Sequence, residues 1–553
     1  MKPGSLPISL THNHSNERHE RRKRAIVKAG WGLLGIIAFA CALDCGGSRE
    51  LSGGSQDQSG SVPIQPEPVA AQVTGLNYTT WKNDNGRTGQ QLNETVLTPS
   101  NVNSTHFGVL FSQSVDGQVL AQPLYLSNLS IAGGKHNVVF VATEHDSVYA
   151  FDADTSGPPL WQKSLVPPGA STVPHSLVDS VSYLPELGIT GTPVIDAATG
   201  TLYVVSETLE SGDVVFRLHA LNVTTGQEGG GSPVLISPSG FQPRMQMPRP
   251  GLLLANGNVY AAFGSTGTDA PPYHGWIVAF AASSLAQVGA WNSTPTGTLG
   301  AIWMSASGLA ADSAGDVYAT TGNGSWDGTS NFSDSFVKLS PNLTLLDYFT
   351  PFNQAPLSAI DLEVGSGGVL LIPDQSGTLP REAIGCGKNP AIYLLNRDNM
   401  GKFQSDSNRQ IIQEIDNQIG SGGGKQPTAH CFMTPAFWNQ TLYFGGNTDV
   451  LEAFSLDSST GKMSTTPTSK GSFTFVYPGT QPVVSANGAS NGIVWAVDNS
   501  PSASLHAYDA TDLTKELFRS PGLGTGVHFA VPTVVNGKVY VGTASKLSVF
   551  ASH

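Results

Sequence analysis

The sequence predicts an all-β fold: an eight-bladed β-propeller of four-stranded antiparallel blades, closed by pairing N- and C-terminal strands. Three observations predict it. First, a turn motif keeps returning, as Phe151-Asp152-Ala153-Asp154-Thr155-Ser156-Gly157 before Trp161, as Ala220-Leu221-Asn222-Val223-Thr224-Thr225-Gly226, as Ala453-Phe454-Ser455-Leu456-Asp457 and as Ala507-Tyr508-Asp509-Ala510-Thr511. Second, each motif follows a β-rich run such as Asn137-Val138-Val139-Phe140-Val141-Ala142-Thr143, and strand-and-turn repeats of ~40–50 residues are the signature of a propeller. Third, charged residues are 12 % of the chain, about half the usual ~25 %. Gly, Ser, Thr and Asn fill the gap, as tight turns require.

The elements follow in order. Seven repeats run over roughly 120–165, 188–237, 245–295, 301–351, 358–404, 429–473 and 480–520. Each has an inner strand, a strand near Val-Tyr-Val, a strand near Ala-Phe-Asp and an outer strand. Alternation is visible in Thr201-Leu202-Tyr203-Val204-Val205 and Lys538-Val539-Tyr540-Val541-Gly542. An eighth repeat is incomplete, with three strands near 529–535, 538–542 and 547–550. Phe107-Gly108-Val109-Leu110-Phe111-Ser112-Gln113 supplies the missing outer strand, because an open sheet edge is an aggregation hazard. Seven blades is the alternative count. Trp81 to Thr105 then caps one face or lies along the rim. Trp161, Trp291 and Phe473 fall on outer strands and are expected to pack between blades.

The propeller spans 76–553. Residues 1–45 read as a leader: Arg21-Arg22-Lys23-Arg24 precedes an apolar run from Ala29 to Leu43, too short for a comfortable membrane span. A Gly/Ser/Gln/Pro linker occupies 46–75. The leader resembles that of a bacterial lipoprotein, with Cys45 or Cys41 acylated; plain cleavage after Ala40 or Ala42 is the rival. Either way the chain is expected to be extracytoplasmic, periplasmic or at the cell surface, touching the membrane only through a lipid anchor. The net charge of −13, with 41 Asp and Glu against 28 Lys and Arg, argues against nucleic acid, which needs a basic stripe. Cys386 and Cys431 lie at the joins of consecutive repeats. A disulfide, two separate thiols and a metal site are all compatible with that placing.

The blades resemble the pyrroloquinoline-quinone repeat, on the strength of Ala150-Phe151-Asp152-Ala153-Asp154-Thr155 and Ala507-Tyr508-Asp509-Ala510-Thr511. That repeat is shared by quinoprotein dehydrogenases and by non-enzymatic relatives such as the lipoprotein scaffold of the outer-membrane β-barrel assembly machine. Three patches are similar to the dehydrogenase branch. Thr321-Gly322-Asn323-Gly324-Ser325-Trp326 matches the region whose Asn carries calcium. Thr350-Pro351 followed by Asp361 matches the segment holding the catalytic base. Lys388-Asn389, then Tyr393-Leu394-Leu395-Asn396-Arg397, matches the stretch whose cation touches the quinone. Trp303 stands near the position of the quinone's floor, and Glu210 or Glu207 near that of the calcium-binding Glu. The resemblance thus implies Asp361 as base, Asn323 and Glu210 as calcium ligands, and Lys388 and Trp303 on the quinone. Each role suits its chemistry: oxygen ligands for calcium, a carboxylate to take an alcohol proton, a cation for a reduced oxygen.

The chain also departs from that branch. It has no adjacent cysteine pair, no haem-attachment Cys-x-x-Cys-His, and Phe352-Asn353 where the enzymes often carry His-Asp. An anionic quinone needs more cations than Lys388, so Arg244, Arg249 or Arg381 would have to reach the channel. The expectation is a non-catalytic binding or scaffold propeller for a protein or glycan at the cell envelope, without cofactor. The alternative is a calcium- and quinone-dependent alcohol or sugar dehydrogenase. Convergence of Asn323, Asp361, Lys388 and Trp303 on one axial pocket is the geometric condition for that alternative.

Overall fold

Eight four-stranded blades form the body of the protein. The structure, a computed structural model, describes residues 75–178, 184–267, 271–420 and 430–553. The leader and its candidate acylation sites, Cys41 and Cys45, lie outside the described residues. The inner strands of blades 1 to 8 are, in order, Leu124–Ile131, Val194–Asp196, Leu253–Ala255, Ala310–Ala311, Val369–Leu371, Ala436–Trp438, Val483–Asn487 and Thr533–Val535. The eighth blade closes the ring as expected. Phe107–Ser114 pairs antiparallel with Lys546–Ser552, Phe107 opposite Ser552 and Gln113 opposite Leu547. Phe107 seals that joint, its ring 5.0 Å from Phe518, 5.5 Å from Trp495 and 6.0 Å from Phe550.

The recurring motifs have a physical cause. In the turns, Asp152 Oδ1 accepts from the Asp154 and Thr155 amides, and Asp509 Oδ1 from that of Thr511. The tyrosine of the Val-Tyr-Val strand then reaches the turn of the next blade. Tyr203 donates to Ala282 O, Tyr260 to Pro341 O, Tyr443 to Ala510 O and Tyr540 to Ala153 O, the last joining blade 8 to blade 1. Each such bond contributes about 1 kcal/mol, and the rings fill the wedge between sheets. Trp161 does the same from an outer strand, donating from Nε1 to Val223 O of blade 2 at 2.8 Å.

Residues 78–94 form a thread across one end of the central channel, and it bonds every blade in turn. Tyr78 pairs with Tyr125 of blade 1, and Thr79 O accepts from Ile195 N of blade 2. Asn85 Nδ2 donates to Leu254 O of blade 3. Backbone oxygens of Asn85, Gly86, Thr88 and Gly89 accept from Ala311, Leu371, Phe437 and Val484 of blades 4 to 7, all at 2.7–2.8 Å. Glu94 Oε2 accepts from Gly537 N of blade 8 at 2.9 Å. Two cations sit wholly buried in this thread. Arg87 donates to the carbonyls of Leu309, Trp81, Leu252 and Asp84 and to Thr80 Oγ1. Lys82 Nζ donates to Thr434 O and Pro435 O. The loops that precede the inner strands gather in the channel, where they supply Arg249, Trp303, Phe432, Tyr477 and Phe529 to one cavity.

Candidate functional site

Those loops enclose a cavity of about 150 Å³ lined by Arg249, Trp303, Glu363, Lys388, Phe432 and Tyr477 among others. Beside it lies the turn Thr321-Gly322-Asn323-Gly324, joined to the lining residue Glu363. Thr321 Oγ1 donates to Phe332 O at 2.6 Å and anchors the turn. Gly322 lets the backbone pass a buried carboxylate, since a Cβ there would lie 2.8 Å from Glu363 Oε2, and Gly324 adopts φ +150°. Asn323 is thereby presented to the wall formed by Glu363 and Lys388. Its amide nitrogen donates to Asp361 Oδ1 at 2.7 Å, and its backbone N–H to Glu363 Oε2 at 3.3 Å. Asn323 Oδ1 is buried without a hydrogen-bond partner among the described residues.

Asp361 follows the short helix Gln354–Ala359 and takes φ +61°, which turns its largely exposed side chain toward Lys388. Lys388 bridges two carboxylates, 2.6 Å from Asp361 Oδ1 and 3.2 Å from Glu363 Oε1. Burial pulls the ammonium's pKa down, but Glu363 and Asp361 outweigh it and hold the lysine charged well above its ordinary range. Trp326 Nε1 donates to Thr350 Oγ1 at 3.0 Å, so the segment of Asn323 is bonded directly to the start of the one carrying Asp361.

Cys386 and Cys431 form a disulfide beneath this wall. It joins the strand end that leads to Lys388 to the loop that carries Phe432. Cys431 N donates to Gly387 O at 2.9 Å, and His430 Nδ1 donates to Lys388 O at 2.9 Å. Of the open sequence readings of these cysteines, the structure takes the pair.

The opposite wall is aromatic and cationic. The Arg249 guanidinium lies 4.3 Å over the Trp303 ring, a cation–π contact. Arg249 is 6 % exposed; Nε donates to Met247 Sδ at 3.3 Å, and Nη2 has no hydrogen-bond partner among the described residues. His528, packed on Tyr477, is pushed down to about 4 by burial first and by the Arg249 charge second. It is therefore neutral near neutral pH.

Lys388 and Trp303 thus line one cavity, and Asn323 and Asp361 stand beside it, bonded to each other and to Glu363 and Lys388, the grouping that the dehydrogenase alternative calls for. Glu210 is not brought there: its carboxylate is ion-paired with Arg217 of the neighbouring strand. Glu207 is wholly buried beside Glu144 and Asp146, and burial raises all three carboxyls, Glu144 to about 7. Among the described residues no group of three His, Cys, Asp or Glu is arranged to hold a metal ion. Of the three candidate arginines only Arg249 lines the pocket; Arg244 donates to Gly212 O, and Arg381 pairs with Asp398. Sequence reasoning missed Glu363 and, behind it, Asp334. The signal for Glu363 was its place two residues after Asp361 on one loop.

No protein-family model and no curated protein sequence matches the chain. Solved structures do resemble it. The quinohemoprotein alcohol dehydrogenase from Comamonas testosteroni superposes with a TM-score of 0.60 at 16 % identity, over 86 % of this chain and 80 % of that one. A europium-containing methanol dehydrogenase gives 0.60 at 13 % identity, over 86 % and 98 %. BamB from Moraxella catarrhalis gives 0.49 at 12 % identity, over 80 % and 99 %. At these identities the likeness is one of fold alone, an eight-bladed β-propeller.

Proposed function

We propose that this protein is an exported, non-catalytic binding propeller whose counterpart of the quinone site is closed to the cofactor. One observation carries the reading: Arg249 covers the face of Trp303 on which a planar ring would stack. Two others support it. The cavity of about 150 Å³ falls below the ~300–1,000 Å³ of pockets for drug-sized ligands, and pyrroloquinoline quinone carries several carboxylates besides its fused rings. Lys388 and Asp361, the candidate cation and base, are already engaged with each other and with Glu363 and Asn323. The residues present do not fit the quinone with calcium.

A partner at the cell envelope, protein or glycan, suits the mouth of the pocket. Phe352 and Ile360 are 41 % and 67 % exposed on the connector that carries Asp361, and Val476 and Tyr477 are 41 % and 52 % exposed on another loop of that face. Grouped exposed apolar side chains mark interaction surfaces. Envelope placement rests on the basic-then-apolar leader, and mass spectrometry of the mature N-terminus tests it: an unprocessed Met1 would contradict export.

The rival reading, a calcium- and quinone-dependent alcohol or sugar dehydrogenase, draws on the grouping of Asn323, Asp361, Lys388 and Trp303. Reconstitution with pyrroloquinoline quinone and calcium, then dye reduction with alcohols and aldoses, separates the two. No retained quinone and no turnover are expected. Stoichiometric uptake, with turnover abolished by Asp361→Asn, would establish the dehydrogenase.

A further inference from the structure

The cavity that excludes a fused-ring quinone still has the chemistry of a binding site. We propose that it takes a small monocarboxylate, one ring or less in size, with the carboxylate on Arg249 and the apolar body among Trp303, Phe432 and Tyr477. The inference rests on the preceding reading that the quinone slot is closed.

Charge is the first argument. A buried cation without a compensating anion is costly. Arg249 is more than nine-tenths buried and lines the cavity; its Nε donates to the Met247 sulfur, its guanidinium lies over the Trp303 ring, and although its charge reaches buried Glu144 it forms no ion pair among the described residues. A guanidinium fork matches a carboxylate in geometry as well as charge. The other cation in the wall, Lys388, is bracketed by Asp361 and Glu363. One cation therefore remains to be matched, and a multiply charged anion would face Glu363. That selects a monoanion.

Size and surface are the second argument. About 150 Å³ equals the liquid volume of roughly five waters at ~30 Å³ each. Phe432 and Phe529 are 8 % and 6 % exposed, and Tyr477 packs edge-on to Phe432 with centroids 5.6 Å apart. Such walls select an apolar body attached to the carboxylate. A free metabolite and the terminal carboxylate of a bound chain share this chemistry.

The test is calorimetric titration of the full mature protein with benzoate, the neutral isostere benzamide, and a tetrapeptide ending in Phe with a free or an amidated C-terminus. Benzoate should saturate one site, and benzamide should bind at least tenfold more weakly, the factor expected for one charge-assisted hydrogen bond. Arg249→Gln should lose at least tenfold, and Arg249→Lys should retain part of the affinity. Phe432→Trp, which fills the cavity with Arg249 in place, should also lose binding. Displacement of benzoate by the free-carboxylate peptide alone assigns the ligand to a partner chain's end; failure of both peptides assigns it to a free small molecule. Equal binding of benzoate and benzamide, undiminished binding by Arg249→Gln, or no saturation by benzoate or either peptide overturns the proposal. Stoichiometric quinone uptake would overturn the preceding reading instead, so the two failures are distinguishable.

Discussion

Asp334 offers a direct test of how the acids behind the site are balanced. Its side chain is wholly buried, Gln354 Nε2 donates to Oδ2 at 3.0 Å, and Oδ1 has no hydrogen-bond partner among the described residues. Burial, then the charge of Glu363, pushes its carboxyl from 3.8 up to about 8 against the bonds it accepts. The folded protein therefore binds a proton that the unfolded chain releases above its ordinary carboxyl pKa, and stability falls as pH rises between those two values. At 1.36 kcal/mol per pH unit the cost is about 1.6 kcal/mol at pH 5, about 4 at pH 7, and about 5–6 at pH 9 and above, where it levels off. Asp334→Asn mimics the protonated form, keeps an acceptor for Gln354 and places an amide at the partnerless oxygen. Urea midpoints of the two proteins should separate in favour of the variant by an amount that grows from pH 5 to pH 9. A gap that does not change with pH, or a variant less stable than the parent at pH 9, would refute the reasoning.

Two further outcomes are expected. Arg87→Met removes the donor to four carbonyls from the closed end of the channel and should cost about 3–5 kcal/mol, the range for breaking a buried charged network, read as a lower urea midpoint. Reducing the Cys386–Cys431 bond, which spans 45 residues, should cost about 2–4 kcal/mol; an unchanged denaturation midpoint in dithiothreitol would count against a structural role.

What the sequence made legible depended on how local the signal was. The blades were readable because turn chemistry and strand alternation repeat within a dozen residues, and the closing strand at 107–113 because a ring leaves one place for it. Asn323, Asp361 and Lys388 stood out through short motifs. Arg249 could be named only as one of three candidates, because which arginine enters the channel is decided by blade packing. Glu210 lies in a strand rather than a pocket loop, and nothing local distinguishes its ion pair with Arg217 from a ligand role. Lys82 and Arg87 lie in the segment expected to cap one face or run along the rim, and no motif marks them. Their burial comes from carbonyls on three different blades, contacts separated by up to 353 residues.

The thread of residues 78–94 also acts as a completeness check on synthesis. It seats only where all eight inner strands are present, and its last bond, from Gly537 N to Glu94, waits for the final segment of the chain. The strand at 107–113 waits for the same segment. A nascent chain lacking its last twenty residues has Glu94 without Gly537 and the strand at 107–113 without its partner. Closing the ring thus ties a strand near residue 110 to one near residue 550, so the joint between first and last blades is the latest part of the fold to form.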